Sequence, residues 1–398
     1  MNRRTWLGAV SLGGPAMLAV AEPSAAAPMR KQLRIVGVET DVLRFAPGSP
    51  YSDAIHDFGP ERGGCVIRVL TDAGVTGWAY SSFGMIGGGP RVVETIIQQE
   101  LKPALIGQDP TFPKRIRADL WKAVEYHGVQ GVASFAIAAV DIALWDVIGK
   151  AAGMPVYKML GAFRERMATY NMCGWYYPND ADLAHYKRSI TAALEEGFRG
   201  VKIKVGRGPV DEDVRRIRVA RELCGAALPI MVDANQVFNR NEALRRGRIY
   251  QEMGCFWYEE PLPPQERDGY AELARELDIR IATGENEYTR YGFLELLKRG
   301  AADVVQPDNR RAGGVTEWME ISALADAFGV AVASHGGGVT NLHMLLAMPN
   351  SIYMESGSIK GDSSALEPLR MKDGEMLAPE SAGMGSELKP DWVRKYRV

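Results

Sequence analysis

Cysteine is scarce in this chain: Cys65, Cys173, Cys224 and Cys255 are the only four in 398 residues, and no two form a CxxC pair. Such spacing supports neither a zinc motif nor a disulfide framework, and buried free thiols are the expectation. An excess of charge of one sign is also lacking. Lys and Arg number 47 against 49 Asp and Glu, a net charge of -2, so nothing in the balance points to nucleic acid. A G-x-S-x-G turn is absent as well. The stretch His335-Gly336-Gly337-Gly338 superficially matches the oxyanion loop of lipase-like enzymes, but without that turn the nucleophile such chemistry requires is missing.

What is present begins at the N-terminus. Arg3-Arg4 precede an apolar stretch from Leu7 to Ala21, followed by small residues such as Ala19-Val20-Ala21 and Ser24-Ala25-Ala26 that suit a cleavage site. The stretch falls short of the ~20 residues a membrane span needs, and Gly13, Gly14 and Pro15 break it further. Residues 1–28 therefore read as a twin-arginine-type export signal with no stable membrane span, and a periplasmic location is expected. The remainder is long enough for two domains or for an α/β barrel with a smaller partner.

Between 29 and 160 the pattern is that of an α+β capping domain. Strand-like runs at Gln32 to Leu43 and Cys65 to Tyr80, the second turning at Thr71-Asp72-Ala73-Gly74, precede helical patterns near 91–106, 111–126 and 131–151. Two Gly/Pro-rich loops, Ala46 to Gly64 and Ser81 to Pro90, interrupt them. From 161 to 358 short β-branched runs alternate with amphipathic helices of 10 to 15 residues, eight strands in all. The fold class expected is α/β, a modified (β/α)7β barrel behind its cap. Residues 359–398 are turn-rich and are expected to return to the cap.

In such barrels chemistry collects at the C-terminal ends of the strands. Here those ends carry Lys202 and Lys204, Asp233, Glu259, Glu285, Asp308, His335 and Glu355. With 49 acidic residues in 398, three preset positions are all acidic by chance about twice in a thousand. Asp233, Glu259 and Glu285 on successive strands suit a hard divalent cation with oxygen ligands, Mg²⁺ above all. Lys202 and Lys204, two apart on one strand, share a face; as neighbouring ammoniums they are expected to lower each other's pKa and yield a base. Asp308 is placed to fix the tautomer of His335.

Seven motifs in order then carry a resemblance. Val201-Lys202-Ile203-Lys204, Asp233-Ala234-Asn235-Gln236, Trp257-Tyr258-Glu259-Glu260-Pro261, Gly284-Glu285-Asn286, Gln306-Pro307-Asp308, Ser334-His335 and Met354-Glu355 are similar to the mandelate racemase subgroup of the enolase superfamily, as is the helix Val140-Asp141-Ile142-Ala143-Leu144-Trp145-Asp146. The resemblance implies Mg²⁺ on Asp233, Glu259 and Glu285, Lys204 as one acid/base group and the Asp308–His335 pair as the other. It implies Lys202 and Glu355 at the substrate carboxylate. Superfamily sites with a Lys or His base and Mg²⁺ at an ene-diolate are a general precedent for this pairing. The partner implied is a small-molecule carboxylate, an acid sugar (aldonate or aldarate), and a homo-oligomer is expected.

Dehydration of that acid is favoured by analogy with the family; racemisation, epimerisation or cycloisomerisation uses the same groups. An exported sugar-acid binding protein is the alternative of another class, although binding alone has no use for a Lys opposite a His–Asp pair. For specificity, Asn235, Asn171, Trp175, Arg310 and Arg311 are candidates inside the mouth. His56, Asp57, Arg62, Phe83 and Met85 are candidates on the cap loops.

Overall fold

The computed structural model describes residues 33–46, 48–83, 87–360 and 365–398. The expected export signal and Met85 lie outside the described residues. From Leu33 to Val398 the chain forms one compact unit.

Eight parallel strands close a barrel: Arg166–Gly174, Val201–Lys204, Ile230–Asp233, Trp257–Glu259, Arg280–Thr283, Val304–Val305, Ala331–Ala333 and Ser351–Ser356. Closure comes from the eighth strand pairing with the first, Glu355 opposite Tyr170. Helices connect each strand to the next, and among the described residues the eighth is followed by none until Pro390–Tyr396, so the expected (β/α)7β pattern is the one observed.

Alternation within each short strand sorts the side chains. Val201, Ile203, Ile230, Val232, Tyr258, Ile281 and Val305 join the large apolar core beneath the helices. Their neighbours Met231, Trp257, Ala282, Val304 and Ala333 pack with Tyr170 in a separate apolar layer. Two residues beyond Met231, Trp257 and Ala333 come Asp233, Glu259 and His335. The period of two therefore sets a polar layer directly above an apolar floor.

In the cap, Ile35–Phe45, Arg62–Thr71 and Thr76–Phe83 make an antiparallel sheet. It packs on the helix Val132–Ala152, and Gly77 permits the contact: a Cβ there would lie 2.0 Å from the Ala143 carbonyl oxygen. That helix is long and apolar enough to cross a bilayer by composition, yet most of it is buried inside the protein. The single helix expected over 91–106 is instead Gly89–Ile96 and Lys102–Leu105 joined by a π-turn at Ile97–Leu101. Pro103 follows at once, and a residue without an N–H cannot continue the regular ladder.

The Ala46 to Gly64 loop contains a small hairpin, Tyr51–Ser52 against Asp57–Phe58. The Asp53 carboxylate accepts from the Ile55 and His56 amides at 2.8 and 2.6 Å, a side-chain turn that shapes its tip. Ser52 bridges to Tyr176, just past the first barrel strand, and Arg207 donates to the Asp53 carbonyl at 2.9 Å and pairs with Asp57 at 2.7 Å. These contacts fasten the hairpin over the barrel mouth.

At the other end of the chain, a hairpin of Met371–Lys372 and Glu375–Leu377 pairs with the start of the first barrel strand. Val398 N then donates to the Val42 carbonyl at 3.0 Å, and Trp392 meets Phe45 edge-on at 5.0 Å. His343 pins this returning segment: Tyr157 N donates to its Nδ1 at 2.9 Å, and Nε2 is 3.1 Å from the Met384 carbonyl.

Candidate active site

Asp233, Glu259 and Glu285 end the third, fourth and fifth strands or stand just beyond them. Their carboxylate oxygens come within 4.8 Å of one another. Pairing places Asp233 beside Glu259, and Glu259 beside Ala282. Two of the carboxylates are held by donors: the Asn235 amide donates to Asp233 Oδ1 at 3.0 Å, and Trp257 Nε1 and Gln306 Nε2 donate to Glu259 Oε2 at 2.9 and 2.8 Å. The backbone at Asn235, Gln236 and Glu260 has φ of 43°, 69° and 39°. Such left-handed conformations in non-glycine residues are costly and gather where structure is fixed for function.

Lys202 and Lys204 lie inside this ring. Lys202 Nζ is 2.5 Å from Glu259 Oε1 and 3.3 Å from Asp233 Oδ2, and it also pairs with Glu355. Lys204 Nζ is 2.5 Å from Asp233 Oδ2 and lies 4.6 Å over the Trp175 ring. The mutual depression expected of the two lysines is not what the surroundings produce. Burial does disfavour both ammoniums, but Glu259 and Glu355 hold the Lys202 pKa well above its ordinary value, and Asp233 raises that of Lys204. Anions outnumber cations here.

The same imbalance shows in the carboxyls. Burial works against Asp233 ionising, yet Lys204 and Lys202 pull its pKa far down. Burial pushes Glu259 up to about 8, with repulsion from Asp233, Glu355 and Glu285 adding to the effect against Lys202. A buried oxygen-only donor set with more negative charge than two lysines offset fits a hard dication, which binds such ligands and relieves the repulsion.

His335, beyond the seventh strand, lies three strands from Lys204 around the barrel. Its Nδ1 is 2.7 Å from Asp308 Oδ2. Because an ionised carboxylate only accepts, Nδ1 carries the proton and Nε2 is left for the cavity, 3.4 Å from Glu285 Oε2. Burial opposes charge on the ring, but Glu285 and Asp308 raise its pKa. Asp308 itself stays ionised: burial is outweighed by Arg310 and His335. Glu355 accepts from Gly336 N at 3.0 Å and from Tyr170 Oη at 2.9 Å. Lys202 and His335 lower its pKa against burial, so in this arrangement it is an acceptor.

Above the polar layer opens a cavity of about 800 Å³, lined by Lys204, Glu285, His335 and Glu355 and roofed by the cap. Asn235, Trp175, Arg311 and His56 also line it, as does Phe83. Asn235 Oδ1 is buried without a partner, and His56 Nδ1 is 3.0 Å from Asp53 Oδ2.

Two of the expected substrate residues are elsewhere. Asn171 falls between Tyr170, which reaches Glu355, and Met172, which lines the cavity, so alternation turns it to the other face. Arg62 donates to the Gly59 and Glu61 carbonyls at 2.6 and 2.7 Å and covers the ring of Tyr51, so it backs a lining residue and does not itself line the cavity. Asp57 is occupied by Arg207 and Ser52. Asp53, Gln306 and Tyr170 were missed. Gln306, two residues before Asp308 on the same run, was open to discovery by the alternation rule.

Comparison with known proteins agrees with this geometry. Residues 185–392 match the enolase C-terminal domain-like family, and residues 45–161 match the mandelate racemase / muconate lactonizing enzyme N-terminal domain. Arabinonate dehydratase of Saccharolobus solfataricus is 32% identical over 83% of this chain and 89% of its own length. The 3,6-anhydro-alpha-L-galactonate cycloisomerase of Streptomyces coelicolor is 32% identical over 91% of this chain and 98% of its own. Among solved structures, an L-talarate dehydratase from a Polaromonas species, complexed with Mg and L-glucarate, superposes with a TM-score of 0.83. That match has 31% identity and covers 92% of this chain and 98% of that one. The chain belongs to the enolase superfamily, in its mandelate racemase subgroup.

Proposed function

We propose that the protein removes the proton next to the carboxylate of an acid sugar and expels the β-hydroxyl, giving a 2-keto-3-deoxy acid. The observation that carries this is the convergence of Lys204 and the Asp308–His335 pair on one cavity beside three buried carboxylates. The dehydratases and cycloisomerases among the relatives support it.

Asp233, Glu259 and Glu285 would hold Mg²⁺. When bound, that ion supplies positive charge where the substrate carboxylate becomes more negative, without which a proton α to a carboxylate is too weakly acidic to remove. Lys202 adds a fixed cation at the same oxygens. His335, aimed by Asp308, takes a proton through Nε2 when neutral and delivers one to the departing hydroxyl when charged. Lys204 serves the opposite face. Asn235, with an unpartnered Oδ1, receives a substrate hydroxyl, while Trp175, Arg311 and His56 bound the distal part. Epimerisation or cycloisomerisation is the second reading, since returning the proton to the α-carbon or expelling a ring oxygen uses the same two groups.

Incubating the protein with Mg²⁺ and a library of aldonates and aldarates, and assaying 2-keto acid, tests the proposal. Dehydration of at least one member is expected. Neither keto acid nor α-deuterium uptake from D₂O with any member would sink it and favour simple binding. Export is a separate proposal, supported by Arg3-Arg4 and the apolar stretch behind them. Residues 1–31 fused to a reporter should reach the periplasm, and changing both arginines to lysine should stop them; unchanged delivery would remove the assignment.

A further inference from the structure

Arg310 lines the cavity, yet its guanidinium is committed on two sides. Toward the barrel, Nε donates to Asp308 Oδ1 at 3.0 Å and Nη2 pairs with Oδ2. Toward the cap, Nη1 donates to the Ser82 carbonyl at 2.6 Å and reaches Ser82 Oγ at 3.2 Å. Ser82 is the last residue but one of the cap strand Thr76–Phe83.

Asp308 needs such support. The terminal torsion of an aspartate is broad and soft, so contact with His335 alone would leave the carboxylate plane poorly fixed. The amides of Arg310 and Arg311 hold Oδ1 at 2.8 and 3.2 Å. The planar guanidinium then engages both oxygens at once, which fixes the plane as well as the position. Arg311 does not duplicate this, reaching only Oδ2 at 3.5 Å. The direction of the Nδ1–H bond, and with it the aim of His335 Nε2, follows from the Asp308 plane.

We propose that Arg310 is a positioning residue for the His335 face of the reaction, transmitting the seating of the cap strand to the aim of His335 through Asp308. It acts without touching the reacting atoms. The inference rests on the reading above, in which Lys204 and His335 work on opposite faces of the substrate.

Face-selective exchange separates this role from a structural one. The full chain with Mg²⁺ is incubated in D₂O with acid sugars epimeric at the α-carbon, one directing its proton to Lys204 and the other to His335, and exchange is followed by proton NMR. Arg310→Lys keeps the charge and loses the bidentate plane; Arg310→Gln loses both. Exchange on the His335 side should fall about 10-fold or more, by analogy with the cost of removing a hydrogen-bonded partner of a metal ligand, and further for Gln than for Lys. Exchange on the Lys204 side should be retained within about twofold, which also shows that the variants fold. Equal loss on both sides, or no loss on either, in the variant whose urea midpoint matches wild type would overturn the inference; should Arg310→Gln unfold, Arg310→Lys decides. Absence of exchange on both faces in the wild type would instead remove the underlying reading.

Discussion

Acid should loosen this protein at His343 in a way that can be isolated. The ring is fully buried, and Tyr157 N and the Met384 carbonyl require its neutral form, with the proton on Nε2. Burial lowers its pKa from 6.5 to about 4. In the unfolded chain the ring binds a proton near pH 6.5, so below that value the unfolded state gains protons that the native state refuses. The stability is present in full above pH 6.5 and is lost as pH falls toward 4. The fall from 6.5 to about 4 corresponds to about 3 kcal/mol in total, of which about 2 kcal/mol is lost between pH 7 and 4.5.

His343→Gln is the control, because an amide offers both an acceptor and a donor but does not titrate. At pH 7 the variant should be less stable by about 1–3 kcal/mol through imperfect pairing of two buried backbone groups. Urea unfolding with chelator throughout, at several pH values from 7 to 4.5, should show that gap closing by about 2 kcal/mol, a relative midpoint change of roughly 0.7 M if the slope is about 3 kcal/mol per M. Titration of the active-site carboxyls is common to both proteins and cancels. A gap that stays constant with pH would refute the argument.

Replacing Lys204 with Met should abolish α-proton exchange on one face, at least about 10³-fold, while His335-side exchange continues; equal rates on both faces would remove Lys204 from the chemistry. Glu285→Gln should weaken Mg²⁺ binding by about 10-fold or more in calorimetry, and chelation should stop turnover until Mg²⁺ is returned. Activity that survives complete metal removal would end the cation assignment. Arg207→Ala frees the hairpin that carries His56; KM should rise several-fold with a smaller change in kcat, and an unchanged KM would show that the hairpin does not cover the substrate.

The barrel and its chemistry were legible because two local rules determine them. Alternation of period two and the rule of strand C-terminal ends together brought Asp233, Glu259, Glu285, Lys204, Asp308 and His335 to one mouth. Both rules act within a strand. What failed depended on which neighbours a side chain meets, near in sequence or far, and not on the period of a strand. Arg62 found nearby carbonyls and an aromatic face instead of the cavity. The lysine pKa values went up because carboxylates from other strands surround them, Glu259 and Glu355 at Lys202 and Asp233 at Lys204. Asn171 is the exception, since its outward face follows from the alternation that was applied elsewhere.

The cap's first strand depends on residues made much later. Asp41 meets Arg397 across 356 positions of chain, and Phe45 packs on Trp392. During synthesis the ribosome therefore releases the whole barrel before the cap sheet can acquire that edge. The lid over the mouth shares the order of events: Ser52 and Arg207 join it to strands that must already exist. A released chain truncated before residue 388 would keep every barrel strand beneath an unfinished roof, and proteolysis of such truncated chains should begin in the cap.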